Sequence, residues 1–314
     1  MKGHGLFSFI AFIAAIFFLA CACVSCESSS SNTDPGNVLP PTGKLDLVGS
    51  WAGYFVSGAD DAINPDAVDD GFLDFDEDDI FAIGVITQER EARFIGDASQ
   101  FVCPEGSLRV NYTLPNRPIF WGDLDYYTWN TLGPDPYSVD VEHISIYGQA
   151  FFSIYFLDGF HWYTDTPEAG RDYWQFQFFN YTTTGISADI EKIAGQWQIS
   201  DAFKGGNTLT FTITPDGEGE AVITGADTQD PKNTFEGTII EIHYDDDVHG
   251  TDLYRVSLTL NNTFDLEGLA TYVSSYDTQG IYTEPSLAIG VSGVSGEDPE
   301  DRRMVTGIAA PVVP

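Results

Sequence analysis

Apolar and polar residues alternate strictly in the second half of the chain. Residues 208–214 read Thr-Leu-Thr-Phe-Thr-Ile-Thr. In an extended strand this order places the leucine, phenylalanine and isoleucine on one face and the threonines on the other. Pro215-Asp216-Gly217 then predicts a tight turn into a second alternating run at residues 220–224. The pattern therefore predicts a β-hairpin.

Six further short runs have the same strand-like character and are separated by turn residues. They cover residues 195–199, 235–243, 253–260, 265–273, 286–291 and 304–309. No long helical period is found after residue 43. Eight short strands in succession favour a closed up-and-down barrel, because closure leaves no strand edge unpaired. The sequence thus predicts an all-β protein.

The start of this predicted barrel has a counterpart near the start of the chain. Leu47-Val48-Gly49-Ser50-Trp51 and Ile193-Ala194-Gly195-Gln196-Trp197 share the order aliphatic-x-Gly-x-Trp, 146 residues apart. This Gly-x-Trp opening resembles the first strand of the calycin superfamily, the lipocalin- and avidin-like barrels. The resemblance implies two tandem antiparallel up-and-down β-barrels, with Trp51 and Trp197 packing across the barrel floors. It also implies an arginine over the second tryptophan, a role for Arg302 or Arg303.

Coincidence is the alternative explanation of the repeat. In that case the two tryptophans belong to strands of one larger β-sandwich or mixed arrangement. With the repeat, the first β-barrel-like domain is expected at residues 44–188 and is rich in aromatic residues. The second, eight-stranded barrel is expected at residues 189–314.

The N-terminal residues have the features of an export signal. Lys2 precedes an apolar run at residues 6–19, which matches the hydrophobic region of a signal peptide and is short for a bilayer-spanning helix. Residues 19–26, Leu-Ala-Cys-Ala-Cys-Val-Ser-Cys, resemble a bacterial lipobox. The resemblance implies a signal peptide at residues 1–22 and a lipidated cysteine.

Three cysteines compete for that modification, and the order of preference is Cys23, then Cys21, then Cys26. None of them has Asp two residues later, so for a Gram-negative host the resemblance implies the outer membrane of the cell envelope. Residues 23–43 are rich in Ser, Pro, Gly and Asn, a composition typical of a flexible tether. The alternatives are an ordinary signal peptide that releases a soluble protein and an uncleaved N-terminal membrane anchor.

Charge narrows the range of partners. The chain has 48 acidic and 13 basic side chains, and its net charge of −35 repels phosphate backbones. Nucleic-acid binding is therefore excluded, and membrane association is left to the lipid anchor. The acidic residues 69–79 lack the spacing of a calcium loop, and no zinc-ligand spacing is found. We expect no metal and no cofactor.

Aromatic residues supply the candidate binding site. Fourteen lie between Tyr147 and Tyr181, and a second cluster occupies residues 120–129. Rings interleaved with Asp, Gln and Asn can stack on sugar faces or line a small-molecule cavity, although the same rings can equally fill a core or a domain interface. The candidate ligand-binding residues are Trp121, Tyr126, Trp129, Trp162, Tyr163, Tyr173 and Trp174.

The common catalytic signatures are missing from the sequence, including Gly-x-Ser-x-Gly and the P-loop. No catalytic residue is assigned. The expected function is that of a non-catalytic, membrane-tethered envelope lipoprotein that binds a small apolar or glycan ligand. One alternative is a structural, assembly or adhesion lipoprotein that docks on another envelope protein. The other is a carbohydrate-active hydrolase.

Overall fold

A computed structural model describes the chain in twelve stretches. They are residues 47–55, 80–96, 102–114, 117–129, 137–151, 156–165, 174–180, 188–200, 207–243, 252–273, 285–295 and 298–312. The predicted signal peptide and tether, with Cys21, Cys23 and Cys26, lie outside these stretches, and so do the acidic residues 69–79 and Tyr173.

Seventeen strands and one short helix make up the described residues. The first nine strands are β1 Gly49–Phe55, β2 Ile80–Ile86, β3 Ala92–Gly96, β4 Val102–Gly106, β5 Arg109–Asn111, β6 Ile119–Trp129, β7 Val139–Phe151, β8 Phe156–Tyr163 and β9 Trp174–Asn180. After helix α1, Ile190–Ile193, come β10 Gly195–Ile199, β11 Leu209–Gly217, β12 Glu220–Asp227, β13 Thr234–Glu241, β14 Leu253–Leu260, β15 Phe264–Val273, β16 Ser286–Ser295 and β17 Asp298–Pro311.

Strands β10 to β17 form a closed eight-stranded antiparallel barrel, which we call the C-terminal barrel. Each strand pairs with the next one, and β17 returns to pair with β10 through Trp197↔Pro311. All eight strands predicted from the alternating pattern are present. Their inward side chains, such as Leu209, Phe211 and Ile213, are buried in one hydrophobic cluster. The predicted barrel is confirmed for this half of the chain.

The predicted turn lies two residues later than expected. Asp216-Gly217 belongs to the end of β11, and the chain reverses between Gly217 and Glu220, which are paired. Gly219 in the turn has a φ of 76°, a left-handed angle that favours glycine. A shift of register between Pro215 and Gly217 accommodates the longer strand. The two residues of the turn are therefore Glu218 and Gly219, and not Asp216 and Gly217.

Strands β1 to β9 form a second, nine-stranded sheet, which we call the N-terminal sheet. Its order is β4-β3-β2-β1-β9-β8-β7-β6-β5. Strand β4 also pairs with β6, for example through Gly106↔Leu124, so the sheet curls round on itself. The inward face is filled by aromatic rings. Phe55 lies 5.4 Å from Phe94 and 5.1 Å from Phe178, measured between ring centroids.

The repeated sequence motif has the same local structure in both units. The indole Nε1 of Trp51 donates to the carbonyl oxygen of Leu47 at 2.9 Å, and that of Trp197 donates to Ile193 at 2.7 Å. The glycine two residues before each tryptophan has a positive φ, 130° at Gly49 and 124° at Gly195. Nothing lies within 4 Å of a Cβ built at Gly195, so the backbone angle explains this glycine, not a lack of space.

The two units pack against each other through the outer faces of their sheets. Apolar side chains from β1, β2 and β3 form one buried cluster with side chains from β14, β15 and β16. The cluster contains Ala52, Phe81, Ile83, Val85, Ile95, Leu253, Leu269, Val273 and Ala288. At its edge the hydroxyl groups of Ser50 and Thr271 are hydrogen-bonded at 2.5 Å. Strands β1, β2 and β3 are therefore buried on both faces, whereas β14 contributes only Leu253 and keeps Arg255 and Ser257 of the same face exposed.

Both ends of the C-terminal barrel are covered. At one end, Ile190 and Ile193 of α1 join the barrel's hydrophobic cluster. The Asp189 backbone N–H donates to the hydroxyl of Tyr254 at 3.1 Å, and burial raises the pKa of that hydroxyl. At the other end, Trp129 at the end of β6 and Tyr137 just before β7 belong to the same cluster.

Strand β17 carries the contacts with this hairpin of β6 and β7. Met304 N–H donates to the Tyr137 carbonyl oxygen at 3.2 Å. The guanidinium of Arg302 donates to the Tyr127 hydroxyl at 2.5 Å, and Arg303 lies over the ring of Phe264 at 4.6 Å. Both arginines thus have aromatic neighbours other than Trp197, because they lie at the opposite end of the barrel from α1. The implied arginine over Trp197 is not found among these contacts.

Candidate ligand-binding face

An open groove lies on the outer face of the N-terminal sheet, across β6, β7 and β8. Its volume is about 430 Å³. The side chains that give it chemical character are Asn111, Trp121, Asp123, Ser145, Tyr147 and Trp162. Aromatic carbon, hydroxyl, amide and carboxylate groups therefore meet in one groove.

Strand alternation explains why these side chains face outward. On β6, Phe120 and Leu124 are buried inside the curled sheet, so Trp121 and Asp123 between them point to the other face. On β7, Ile144 and Ile146 are inside, so Ser145 and Tyr147 are outside. The inward side chains form the core of the curled sheet, and the outward side chains line the groove.

Three outward rings form a row across three adjacent strands. Trp121 on β6 pairs with Tyr147 on β7, and Tyr147 pairs with Phe160 on β8. Tyr147 and Phe160 are each 44% exposed, which is unusual for side chains of this size. We call Trp121, Tyr147 and Phe160 the aromatic row.

A polar row lies on one side of the aromatic row. Asp123 and Ser145 form this row and are paired on β6 and β7, and the paired position on β8 is another ring of the groove, Trp162. The hydroxyl of Ser145 donates to the Asp123 carboxylate at 2.6 Å. This hydrogen bond fixes the carboxylate beside the rings, where its remaining lone pairs can accept from a ligand hydroxyl.

A second polar row lies on the other side and is built around Asp158. Gln149, Asp158 and Gln177 are paired across β7, β8 and β9. Burial raises the pKa of Asp158, and the hydrogen bonds from Gln177 and Gln175 and the charge of Arg117 oppose this shift. Arg117 itself donates to Gln149 at 2.8 Å and lies over the Phe151 ring at 4.6 Å. Gln177 is buried, so Gln149 and Asp158 are the members of this row that reach the surface.

A histidine–carboxylate pair marks the end of the face nearest the C-terminal barrel. His143 Nδ1 lies 2.8 Å from Asp125 Oδ1. Asp125 Oδ2 lies 3.6 Å from the Arg302 guanidinium of β17. Among the described residues no group of three or more His, Cys, Asp or Glu side chains is placed to hold a metal ion.

The predicted ligand-binding residues divide between this face and the core. Trp121 and Trp162 line the groove. Tyr126 and Tyr163 point into the N-terminal sheet, where their ring centroids are 6.0 Å apart. Trp129 is buried at the covered end of the C-terminal barrel. Trp174 belongs to β9 but its side chain, like Tyr173, lies outside the described part of the chain.

Sequence reasoning missed four members of the face, namely Asp123, Ser145, Tyr147 and Phe160. A signal for them was available, because Ile144, Ile146 and Gly148 alternate with Ser145 and Tyr147. An apolar inner face with an aromatic residue among the outward positions indicates a ring exposed to solvent. Counting aromatic residues without their strand parity hid this distinction.

Comparison with protein-family models, with curated proteins and with solved structures finds no match to this chain. The fold and the groove therefore define its class by themselves: an all-β protein with a closed eight-stranded barrel, a second curled sheet, and an aromatic groove on that sheet. In the part of the chain that the structure describes, no helix has the length and apolar character needed to cross a bilayer.

Proposed function

We propose that this protein is a non-catalytic, membrane-tethered binding module of the cell envelope. Its ligand site is the groove on the outer face of β6, β7 and β8, and the ligand is a glycan or a small apolar molecule. The observation that carries the proposal is the aromatic row: Trp121 and Tyr147 line the groove, and Phe160 continues the row on β8. Tyr147 and Phe160 leave large apolar surface in water. Such exposure costs free energy in the unbound protein and is recovered when a ligand covers the rings.

We propose that both halves are calycin-like barrels in tandem. Support comes from the shared Gly-x-Trp opening, the indole hydrogen bond to the residue four positions earlier in each half, and the pairing of β4 with β6. In this arrangement the ligand lies on the outside of the first barrel, because apolar side chains fill the interiors.

Removing the groove tryptophans tests the site. The double variant Trp121→Ala/Trp162→Ala should weaken ligand binding by about tenfold or more, equivalent to about 1.4 kcal/mol. The measurement is saturation-transfer NMR of the purified full chain with a panel of neutral glycans and a panel of small apolar molecules. Val294→Ala, which removes an exposed side chain of the C-terminal barrel, is the matched control.

Two results would overturn the site proposal. The first is a wild-type protein that binds no member of either panel. The second is a bound molecule whose affinity is the same in wild type and in the double variant. A folded double variant, with an unchanged circular dichroism spectrum, is required for the comparison, and Trp121→Tyr supplies a milder substitution that retains a ring.

Lipidation is tested separately by metabolic labelling with a palmitate analogue. Wild-type protein should be labelled, and replacement of Cys21, Cys23 and Cys26 together by Ser should abolish the label. Both attachments at a lipobox, the thioether-linked diacylglyceryl group and the amide-linked acyl chain, need the cysteine. Cys23→Ser alone should remove most of it. Cys103→Ser, in β4, is the control and should be labelled like wild type. An unlabelled wild-type protein would end the tether proposal.

A further inference from the structure

We infer that the ligand of this face is a neutral, linear glycan that lies across strands β6, β7 and β8, perpendicular to them. This inference rests on the proposed function, since it names the ligand class of the same groove. The inference depends on the arrangement of three parallel rows of side chains on this face: the aromatic row lies between two rows of polar side chains.

The spacing of the rings fits a chain of sugars. Trp121, Tyr147 and Phe160 occupy directly paired positions on three adjacent strands. Neighbouring strands are separated by about 4.8 Å, so successive rings recur at about this interval across the sheet. One hexose ring occupies a comparable length along an extended glycan. Successive sugars can therefore stack on successive side chains, with apolar C–H faces against the rings.

The polar rows lie where the edges of such a chain would be. Paired positions two residues along a strand are about 7 Å away, so hydrogen-bonding groups flank the rings on both sides. Asp123 and Ser145 lie on one side, and Gln149 and Asp158 lie on the other. Gln177 is buried and donates to the Asp158 carboxylate at 3.2 Å, so it holds this carboxylate from below. Sugar hydroxyls project from the edges of the pyranose ring and both donate and accept, which suits carboxylates and amides together.

These flanking groups argue against the other ligand classes. An apolar molecule that covered the groove would remove Asp123 and Ser145 from water without new hydrogen bonds, which is unfavourable. An anionic glycan would bring its charges beside the exposed carboxylate of Asp123, on a protein of net charge −35. A neutral glycan satisfies the polar groups and avoids the repulsion.

The experiment is calorimetric titration of the purified full chain with sugars of increasing length. The probes are neutral β-linked oligomers of one to six units, built from glucose, xylose, mannose or N-acetylglucosamine, and anionic galacturonate oligomers of the same lengths. For a neutral series that binds, we expect affinity to rise at least tenfold from one unit to three and to change less than threefold beyond four. Galacturonate oligomers should bind at least tenfold more weakly.

A substitution at the end of the row separates stacking from general damage. Phe160→Ala should lower the affinity for three units towards that for two, and leave the affinity for two units within twofold of wild type. Ile240→Ala, an equally exposed apolar side chain on the C-terminal barrel, should change neither value.

Several outcomes would overturn the inference: no neutral oligomer binds, affinity is independent of length, or the galacturonate series binds as well as the neutral one. If small apolar molecules bind and Trp121→Ala/Trp162→Ala abolishes that binding, the groove remains a ligand site and only the glycan assignment falls. If only a protein partner from the envelope binds the face, the glycan assignment is again wrong.

Discussion

Replacing Trp197 with Ala should lower the free energy of unfolding by about 3–5 kcal/mol. Trp197 is buried among the barrel's apolar side chains, and its ring meets Tyr272 edge to face with centroids 6.5 Å apart. The substitution leaves a cavity and also removes the hydrogen bond to the Ile193 carbonyl. Ile193 is the last residue of α1, the helix that covers this end of the barrel. The substitution therefore removes core packing and also a contact that holds the covering helix in place. Equilibrium denaturation in urea, followed by circular dichroism, measures the loss.

The repeated motif provides a matched comparison. Trp51→Ala should cost a similar amount, because its indole makes the same hydrogen bond to Leu47 within the core of the N-terminal sheet. Tyr147→Ala removes an exposed ring and should change stability by no more than about 0.5 kcal/mol. A loss below about 1 kcal/mol for Trp197→Ala would contradict its role in the core.

Alternation was sufficient to predict the C-terminal barrel because most of its strands have one face exposed to solvent and one face buried in the barrel. In β11 the threonines lie outside while Leu209, Phe211 and Ile213 lie inside. Polar and apolar residues therefore alternate along the sequence with a period of two. The turn at Gly219 was displaced because two Gly-containing dipeptides stand close together, and local residue preference does not decide between them.

Strand β2 shows why alternation does not predict the strands of the N-terminal sheet. Residues Ile80–Ile86 read Ile-Phe-Ala-Ile-Gly-Val-Ile and have no alternation, since one face fills the sheet and the other faces the C-terminal barrel. A continuous apolar run indicates burial on both faces but does not name the partner. The sequence therefore signals an interface, and only the fold identifies β15 and β16 as the opposite side.

The residues of the candidate ligand-binding face were predicted only in part, for a related reason. Tyr126 and Tyr127 are adjacent in the sequence, yet Tyr126 points into the sheet and Tyr127 packs with the C-terminal barrel. Strand parity separates them, but parity alone would have left Tyr127 exposed on the outer face of β6, the face that carries Trp121. The cover comes from Arg302, 175 positions further along the chain. A contact between residues so far apart leaves no local pattern.

The interface between the two units yields the other large expected effect. Ile83→Asp should destabilise the whole chain by about 3–5 kcal/mol, the cost typical of an unpaired buried charge. Ile83 is buried in the interface cluster, and its partners on the neighbouring strands, Ala52 and Ile95, offer no cation. Because the cluster includes β15 and β16, the loss should also reduce the protection of those strands in hydrogen exchange measured by mass spectrometry.

Two controls decide whether charge at the interface is the cause. Ile83→Val keeps the site apolar and should cost only about 0.5–1.5 kcal/mol. Ile240→Asp puts the same charge on an exposed position of β13 and should cost no more than about 0.5 kcal/mol.

The pH dependence of Ile83→Asp provides a further check. Burial raises the pKa of the carboxyl introduced at position 83 above its value in the unfolded chain. The folded form then binds more protons than the unfolded chain, so the deficit against wild type should shrink as pH falls through that raised pKa. A deficit below about 1 kcal/mol at neutral pH, with unchanged exchange in β15 and β16, would mean that the outer face of β2 meets water and that the two units fold independently.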